Sequence, residues 1–406
     1  MEGFSLAYEG FDPEEEGLRE VLTSTGNGYL CTRGVAEWED ADGVHYPGTY
    51  AHGVHNRQTT ILGGQPVLNE DLVNLPNWLV LKLRIEGEDA IRLADMELLE
   101  YEHEFDIRNA VLTRRLRFRD DAGRETTLRS RRFVSMADLH HAGIEWTLRP
   151  ENWSGRVEIV SAIDGRVTNA GVARYEQLEG RHLDPVSPRT FGPEVIALKV
   201  ETRQSNLYIS QAARTRVFDG VEPMPVERRL HQMEDYIQQV LAFDVRQGVA
   251  VRVEKMVTFF TSRDLAVSDT LAKAGISALR YPDFGEALER NVMAWDELWR
   301  VCDVHLPADD RVQLLLRLHV CHILQVCSHH TADMDAGVPA RGLNGEAYRG
   351  HVFWDELFVC SFLNVRMPEI TRGLLMYRYR RLGEARAAAK EAGFRGAMFP
   401  WQSGSE

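Results

Sequence analysis

The hydrophobic pattern of this 406-residue chain changes its period near residue 265. Before that point apolar and polar residues alternate, as in LVLKLRIEG, where Leu81, Leu83 and Ile85 are separated by lysine and arginine. Alternation of this kind places the apolar side chains on one face of a strand. Many such segments follow one another without an intervening helical pattern, so the sequence predicts a large antiparallel β-sandwich over residues 1–265.

One pair of these segments is rich in arginine. VLTRRLRFRDDAGRETTLRSRRFVSM predicts a hairpin whose turn is formed by Asp121, Ala122 and Gly123. In RRLRFR the arginines alternate with apolar residues, which favours a solvated strand face over a nucleic-acid surface. The formal net charge of −14 agrees with this, because it repels a phosphate backbone on average. We therefore expect no nucleic-acid partner.

After residue 265 the apolar residues recur at three and four positions, which is typical of helices with one buried face. The first two helical segments predict a linker over residues 266–305. Four more helices are expected in residues 306–406, with a loop of about twenty residues after the first of them. The predicted helices cover, approximately, residues 267–277, 283–301, 307–328, 354–366, 368–380 and 382–392.

Composition argues against several other classes of protein. The sequence contains no uncharged apolar stretch that approaches eighteen residues. Its acidic N-terminus lacks the basic and apolar regions of a signal peptide. We therefore expect no membrane association and a cytoplasmic location. The five cysteines are odd in number and none has CxxC spacing, which favours buried free thiols over disulfides or a zinc site. His329 and His330 lack acidic ligands at suitable spacing, so no metal is expected.

The segment GHVFWDELF, residues 350–358, places His351, Phe353, Trp354 and Asp355 where the long loop meets a helix. Long loops inside compact domains are often functional. Two interpretations of Trp354 and Asp355 remain open from the residues alone. An indole and a carboxylate suit the apolar face and the hydroxyls of a sugar, whereas a helix N-terminus favours an acid and a core favours tryptophan.

The chain ends in GAMFPWQSGSE, whose aromatic and proline residues are unusual for a solvated tail. Phe399 and Trp401 have no evident partner in the sequence. The expectation is that the chain is a fragment of a longer protein, or that the surface contacting these rings lies elsewhere.

Several segments together resemble glycoside hydrolase family 65, which includes maltose, trehalose and kojibiose phosphorylases. The matching segments are GNGYLCTRG, YPGTYAHGVHNR, NEDLVNLPNW, VPARGLNGEAYRGHVFWD and YRYRRLGEARAAAKEAGFRGAMFPWQSG. They keep the order of the family and span almost the whole chain. The combination of ARGL and GHVFWD with a later FPWQSG is the most specific part of the resemblance.

The resemblance implies a multidomain β and α fold: an N-terminal β-sandwich, a helical linker and an (α/α)6 barrel. Residues 306–406 would then be the start of an incomplete catalytic barrel. The family's general acid, a glutamate, and its phosphate-binding residues belong to later motifs that this sequence does not contain. The chain alone is accordingly expected to be inactive and to carry no catalytic residue. No metal or organic cofactor is implied, and inorganic phosphate would be the co-substrate.

Trp354 and Asp355 match the family positions that bind the non-reducing glucose. Glu356 is not expected to form an acid–base pair with Asp355, because neighbouring residues of a helix do not face each other. Inverting glycosidases moreover hold their two carboxyl groups about 6.5–9.5 Å apart across the substrate. Asp355 is therefore interpreted as a sugar-binding residue.

Four neighbouring side chains are further candidates for substrate binding: His351, Phe353, Arg341 and Trp401. A structural role for His351 remains equally open. For Arg341 a buried ion pair is favoured over a contact with a carboxylate near the pocket. Trp401 would line the entrance or pack on other helices.

The implied reaction is inverting phosphorolysis of an α-glucosyl disaccharide, of the kojibiose, trehalose or maltose type, to β-glucose 1-phosphate and glucose. Phosphate would attack the anomeric carbon from the face opposite the leaving group while a glutamic acid protonates the leaving oxygen. Two alternatives remain open: an inverting α-glucoside hydrolase of the same family, and a non-catalytic sugar-binding or oligomerising fragment. The resemblance also implies a homodimer.

Overall fold

The computed structural model describes residues 3–307 and 309–405. Strands fill the chain up to Thr261, and helices follow from Thr270 onwards. The multidomain β and α class predicted from the sequence is confirmed. The change from strands to helices falls where the hydrophobic period changes, because burial of one face drives both patterns.

The strands number nineteen within the described residues. They are, in chain order, β1 Ser5–Glu9, β2 Thr25–Gly26, β3 Leu30–Thr32, β4 Thr49–Ala51, β5 His55–Leu62, β6 Gln65–Leu72, β7 Leu81–Ile85, β8 Glu97–Asp106, β9 Val111–Arg119, β10 Glu125–Val134, β11 His141–Pro150, β12 Gly155–Asp164, β13 Leu183–Phe191, β14 Val195–Thr202, β15 Tyr208–Asp219, β16 Glu222–Pro223, β17 Glu227–Met233, β18 Tyr236–Val245 and β19 Val251–Thr261.

Two antiparallel sheets form the sandwich. The larger has the order β1-β8-β9-β10-β11-β19-β15-β14-β13, with β16 paired to β15, and the smaller has the order β17-β18-β12-β7. Their inner faces share the main apolar core, to which Leu83 and Ile159 contribute from the smaller sheet and Leu116, Ile144 and Val253 from the larger. Strands β5 and β6 form a separate hairpin, and β2, β3 and β4 form a third small sheet.

The predicted arginine-rich hairpin is β9 and β10, and Leu116 lies opposite Leu128 in its register. Arg115, Arg117 and Arg119 lie on the half-exposed face of β9, and each forms an ion pair with a glutamate. That face is therefore a solvated network of opposite charges.

Seven α-helices are present in the described residues. They are α1 Pro13–Leu22, α2 Thr270–Arg280, α3 Phe284–Cys302, α4 Asp310–Val326, α5 Glu356–Arg366, α6 Pro368–Arg380 and α7 Leu382–Glu391. The six helices after residue 265 lie where they were expected, except that α5 begins at Glu356 and leaves Trp354 and Asp355 before its first turn.

Helix α1 corrects the expectation that no helix interrupts the strands. Its start has recognisable signals: the Asp12 side chain accepts a hydrogen bond from the Glu14 amide, and Pro13 occupies the first turn. Acidic residues of the first turn suit the helix dipole. The segment PEEEGLREVL was missed because it has too few apolar residues to show a helical period.

A second apolar core joins the helices to the sandwich. Leu318 and Leu324 of α4 and Trp295 of α3 pack in this core with Phe105 and Leu112 of β8 and β9. All five cysteines are free and buried, as expected. Within residues 3–307 and 309–405, every helix is too short or too polar to traverse a lipid bilayer.

Glu37 and Arg132 form an ion pair inside the sandwich, with Oε1 and Nη1 3.0 Å apart and both side chains fully buried. Burial lowers the pKa of Arg132 to about 10. Removal of one member of such a pair leaves an uncompensated charge in the core. We expect Arg132→Met to lower the free energy of unfolding by about 3–5 kcal/mol, as measured by urea unfolding followed by circular dichroism.

The matched control is Arg115→Met, because Arg115 forms an ion pair with Glu102 in which each side chain is 42% exposed. Loss of an exposed pair is expected to change the free energy of unfolding by less than about 1 kcal/mol. Equal losses of unfolding free energy in Arg132→Met and Arg115→Met would contradict the view that the Glu37–Arg132 pair is shielded from water.

Candidate functional site

The segment between α4 and α5 carries the candidate residues. It includes two short 3-10 turns, His329–Thr331 and Ala347–Gly350. Val352 lies between two other parts of the chain, and its backbone forms isolated antiparallel bridges with Pro339 and with Ser403. The backbone two residues before Trp354 is thus held on both sides.

Trp354 is 62% exposed, and its ring meets that of Phe358 edge to face with centroids 5.6 Å apart. The core interpretation of this tryptophan is therefore wrong. An exposed indole offers a flat apolar surface of the kind on which sugar rings pack.

Asp355 lies half-buried at the residue that precedes α5. Its carboxylate has no hydrogen bond or ion pair with any described residue, and it does not cap the helix. The neighbouring Glu356 differs, because its Oε1 accepts a hydrogen bond of 3.0 Å from Nε of Arg378 on α6. Asp355 is the acid of this pair whose oxygen atoms remain available to a ligand.

Phe353 and Trp401 come together although 48 residues separate them in the chain. Their rings meet edge to face with centroids 5.3 Å apart. Phe353 is buried, whereas Trp401 is 73% exposed, so the expectation that Trp401 has no partner in this sequence is wrong. The ring of Phe353 also meets the ring of Tyr348 edge to face, again with centroids 5.3 Å apart.

Arg341 extends this row of rings, since its guanidinium lies 5.4 Å from the ring centroid of Tyr348. Its side chain is exposed, and it forms no ion pair among the described residues. The favoured interpretation of a buried ion pair is therefore wrong. An exposed guanidinium over an aromatic ring is a cation–π contact.

His351 contacts the hairpin of β5 and β6. Its Nε2 is 2.8 Å from the backbone oxygen of Glu70 on β6, and its ring lies 6.1 Å from that of His55 on β5. Burial lowers the pKa of His351. These contacts favour the structural role among the two interpretations left open for this residue.

An open cleft of about 690 Å³ lies beside this segment, between α6, α7 and the chain that follows α7. Sequence reasoning did not identify its charged residues, although YRYRRL marks them as a basic cluster. Arg378 also donates to the Ser403 hydroxyl at 3.2 Å, and Arg381 donates to Asp335 at 2.9 Å. The lining residues are Asp335, Arg378, Arg380, Arg381, Glu384, Ala385, Ala388, Met398, Phe399, Pro400 and Ser403.

The rings of His329 and His330 contact each other at a tilt of 47°, with centroids 3.8 Å apart. No group of three or more histidine, cysteine, aspartate or glutamate side chains within the described ranges has the geometry of a metal site. The two histidines belong to a short turn, and Nε2 of His330 lies 2.9 Å from the backbone oxygen of Met136.

Comparison with models of known protein families shows which family the chain belongs to. The model of the N-terminal domain of glycosyl hydrolase family 65 matches residues 6–298, and the model of the central catalytic domain of the same family matches residues 317–406. The chain belongs to glycosyl hydrolase family 65. The resemblance noted in the sequence motifs is confirmed.

Relatives of this family 65 chain include an uncharacterized glycosyl hydrolase of Mycobacterium tuberculosis, 44% identical over 99% of this chain and 30% of that protein. A kojibiose phosphorylase of Caldanaerobacter subterraneus subsp. tengcongensis is 33% identical over 97% of this chain and 50% of its own length. A trehalose 6-phosphate phosphorylase of Lactococcus lactis subsp. lactis is 32% identical, again over 97% and 50%. The chain thus spans half or less of the length of these relatives.

A solved structure provisionally titled as a kojibiose phosphorylase from the human microbiome superimposes with a TM-score of 0.84. The match covers 100% of this family 65 chain and 52% of that chain, at 20% identity. At this level of identity the match establishes the fold.

The histidine that holds the turn before Trp354 predicts a pH dependence of stability. Nε2 of His55 donates to the backbone oxygen of Gly350 at 3.1 Å, and burial lowers the pKa of His55 to about 4. The unfolded chain has the ordinary histidine pKa of about 6.5, so it binds more protons than the folded state below that pH. Stability therefore falls as the pH drops from about 6.5 towards 4.

We expect His55→Gln to lose less stability than the wild type over this pH window, because an amide donates a hydrogen bond without titrating. Urea unfolding at several pH values between 7 and 4 measures the slope. The control His231→Gln changes an exposed histidine of β17 and should keep the wild-type slope. Parallel curves for the wild type and His55→Gln would contradict the buried neutral state of His55.

Proposed function

We propose that this chain carries the glucose-binding half of the active site of an inverting disaccharide phosphorylase. The observation that supports it is the pairing of an exposed indole, Trp354, with the adjacent free carboxylate of Asp355. The indole covers the apolar face of a pyranose, and the two carboxylate oxygens accept hydrogen bonds from neighbouring hydroxyl groups.

The surrounding side chains fit the same ligand. Trp401 contacts the ring of Phe353, the residue that precedes Trp354 in the chain. Arg341 and the half-exposed Tyr348 lie at the other end of this row of rings. Aromatic surfaces with a few fixed polar groups are typical of small-molecule sites. The cleft between α6 and α7 lies next to this row of rings in the chain, but its lining includes Phe399 and none of Trp354, Asp355, Trp401 or Arg341.

The proposed reaction splits an α-linked glucosyl disaccharide of the kojibiose, trehalose or maltose type. Inorganic phosphate attacks the anomeric carbon of the glucose held by Trp354 and Asp355, and a general acid protonates the leaving oxygen. The configuration inverts and the products are β-glucose 1-phosphate and glucose. A single carboxylic acid suffices, because phosphate takes the place of an activated water.

The names of relatives support a phosphorylase, since kojibiose and trehalose 6-phosphate phosphorylases match almost the whole chain. The name of the mycobacterial relative supports the second candidate, an inverting α-glucoside hydrolase. In the hydrolase a second carboxylate would activate water instead of binding phosphate. The proposal further includes a cytoplasmic homodimer and a reaction without metal or organic cofactor.

Removal of the indole should weaken sugar binding. We expect Trp354→Ala to lower the affinity for glucose by about tenfold or more. The sugar packs on the flat face of the indole, and alanine lacks such a face. Asp355→Asn should weaken binding as well, since it replaces a charged acceptor by a neutral one. Isothermal titration calorimetry with glucose and with disaccharides measures both effects.

Phe394→Ala is the matched control, because Phe394 is an aromatic residue of similar exposure outside the proposed subsite. Its affinity for glucose should equal that of the wild type. Glucose binding that is unchanged in both Trp354→Ala and Asp355→Asn would contradict the subsite.

Phosphate dependence separates the two candidate reactions. The protein to assay is a fusion of this chain with the remaining part of a relative such as the kojibiose phosphorylase, of which this chain matches 50%. We expect the fusion to form β-glucose 1-phosphate only when phosphate is supplied, as followed by ³¹P NMR. The 406-residue chain alone is expected to bind sugar without turnover, because the resemblance places the general acid in a motif that the sequence lacks. Free glucose released at the same rate without phosphate would favour the hydrolase, and turnover by the chain alone would contradict its expected inactivity.

A further inference from the structure

A left-handed turn lies directly before the proposed glucose subsite. Tyr348, Arg349 and Gly350 have φ angles of 54°, 57° and 66°. Residues other than glycine avoid this region, because Cβ approaches the following carbonyl oxygen. Two consecutive non-glycine residues in this conformation persist only where the surroundings hold them, and such strain is concentrated at functional sites.

The carboxylate of Glu346 holds the start of this turn. Its Oε1 accepts hydrogen bonds from the hydroxyl groups of Tyr46 at 2.5 Å and Tyr50 at 2.8 Å, and its Oε2 accepts one from the Gly171 amide at 2.8 Å. Glu346 is 5% exposed, and burial raises its pKa. We call these four residues the carboxylate clamp. All three donors belong to the part of the chain that forms the sandwich.

The hairpin of β5 and β6 holds the end of the turn. His55 donates to the backbone oxygen of Gly350, as described above, and the ring of His351 contacts the backbone of Glu70. A Cβ placed on Gly350 would lie 2.3 Å from Cβ of Leu72. Both the positive φ and this close approach require glycine at the last position of the turn.

The turn itself is closed by backbone hydrogen bonds. The Arg349 amide donates to the backbone oxygen of Glu346 at 2.8 Å, and the His351 amide donates to that of Tyr348 at 3.1 Å. Without the clamp, the two non-glycine residues can relax towards right-handed conformations. The turn also contacts the residue before Trp354, since the ring of Tyr348 meets that of Phe353 with centroids 5.3 Å apart. The turn and the two bridges of Val352 together set the backbone that leads to Trp354.

We propose that Glu346 is a positioning residue for the sugar-binding pair. Held by Tyr46, Tyr50 and Gly171, it keeps the turn at residues 348–350 in the left-handed conformation from which the chain continues to Trp354 and Asp355. The strand-rich part of the chain therefore takes part in sugar recognition without touching the sugar. The statement about what this pair binds rests on the proposed function, whereas the statement about the turn does not.

Hydrogen exchange of the 406-residue chain, followed by mass spectrometry, tests the clamp without any ligand. Tyr50→Phe removes one hydroxyl donor to the Glu346 carboxylate and keeps the ring. We expect the peptide that covers residues 347–356 to exchange about tenfold faster than in the wild type, since its protected amides include those of Arg349 and His351. Unchanged exchange in this peptide would overturn the proposal.

A matched control separates a local effect from general destabilisation. Ser130→Ala also removes a hydroxyl donor from a buried carboxylate, because the Ser130 hydroxyl donates to Glu37 at 2.9 Å. This variant should leave exchange in residues 347–356 at the wild-type rate. Equal acceleration in Ser130→Ala and Tyr50→Phe would overturn the proposal.

Two variants at Glu346 give a second, independent measurement. Glu346→Gln keeps an oxygen acceptor and the side-chain volume, so it should accelerate exchange less than Glu346→Ala does. Emission of Trp354, taken as the difference between each background and its Trp354→Phe partner, should shift further in Glu346→Ala than in Glu346→Gln. Identical Trp354 emission in Glu346→Ala and Glu346→Gln would show that the clamp does not position the indole.

Glucose titrations then distinguish this proposal from the proposed function. Wild-type chain that binds no glucose contradicts the proposed subsite, while the exchange and emission results still decide whether Glu346 positions Trp354. Wild-type and Tyr50→Phe chains that bind glucose with equal affinity contradict the positioning role and leave the subsite in place. The expected result is binding by the wild type and a loss of affinity of about tenfold in Tyr50→Phe.

Discussion

Buried polar groups that satisfy one another determine how the helices close on the sandwich. Gln325 of α4 donates to the backbone oxygen of Ser24 at 2.9 Å, and its own backbone oxygen accepts from the Gly28 amide at 2.7 Å. The Ser328 hydroxyl donates to the backbone oxygen of Asn27. An unpaired buried polar group costs about 1–3 kcal/mol, so these contacts allow one register of closure. A Cβ on Gly28 would lie 2.6 Å from the Ser328 hydroxyl, so the GNG turn leaves no room for a side chain where it packs on the chain that follows α4.

This closure fixes the start of the long segment that ends at Trp354. Further contacts with the sandwich then fix its course: Arg263 donates to the backbone oxygen of Asp335 at 3.0 Å, and Glu346 accepts from two tyrosines. The segment has little regular structure of its own, yet its backbone is held from outside at several points, including Asp335, Gly337 and Gly350. A loop held in this way can present an exposed indole and a free carboxylate in a constant arrangement.

Most of the fold was predictable from the sequence, because both hydrophobic periods arise from burial of one face. The turn of the hairpin between β9 and β10 and the helices after residue 265 were predicted correctly for this reason. Helix α1 was missed, since its residues are mainly acidic and its signals are an N-cap aspartate and a proline. The start of α5 at Glu356, with Trp354 and Asp355 outside the helix, also escaped the pattern, because hydrophobic spacing carries no information on capping geometry.

The candidate site was predictable only in part. The family motif identified Trp354 and Asp355, and the chain order placed them beside a loop. Contacts over long separations were not available to sequence reasoning: Tyr46 meets Glu346 across 300 residues, and Arg378 meets Glu356 across 22. The predicted ion pair of Arg341 failed for the same reason, because nothing in the sequence showed that Tyr348 would lie beneath its guanidinium.

The two backbone bridges of Val352 have a consequence for how such a site diversifies. The chain on one flank, between Pro339 and Val352, and the chain on the other, between α7 and Ser403, are each anchored at the same central residue. Insertions or deletions between Pro339 and Glu346, or between α7 and Ser403, change what stands opposite the indole, while this anchor and the turn at residues 348–350 keep the indole in register. The architecture thus separates the part of the site that stays constant from the parts that are free to vary in length.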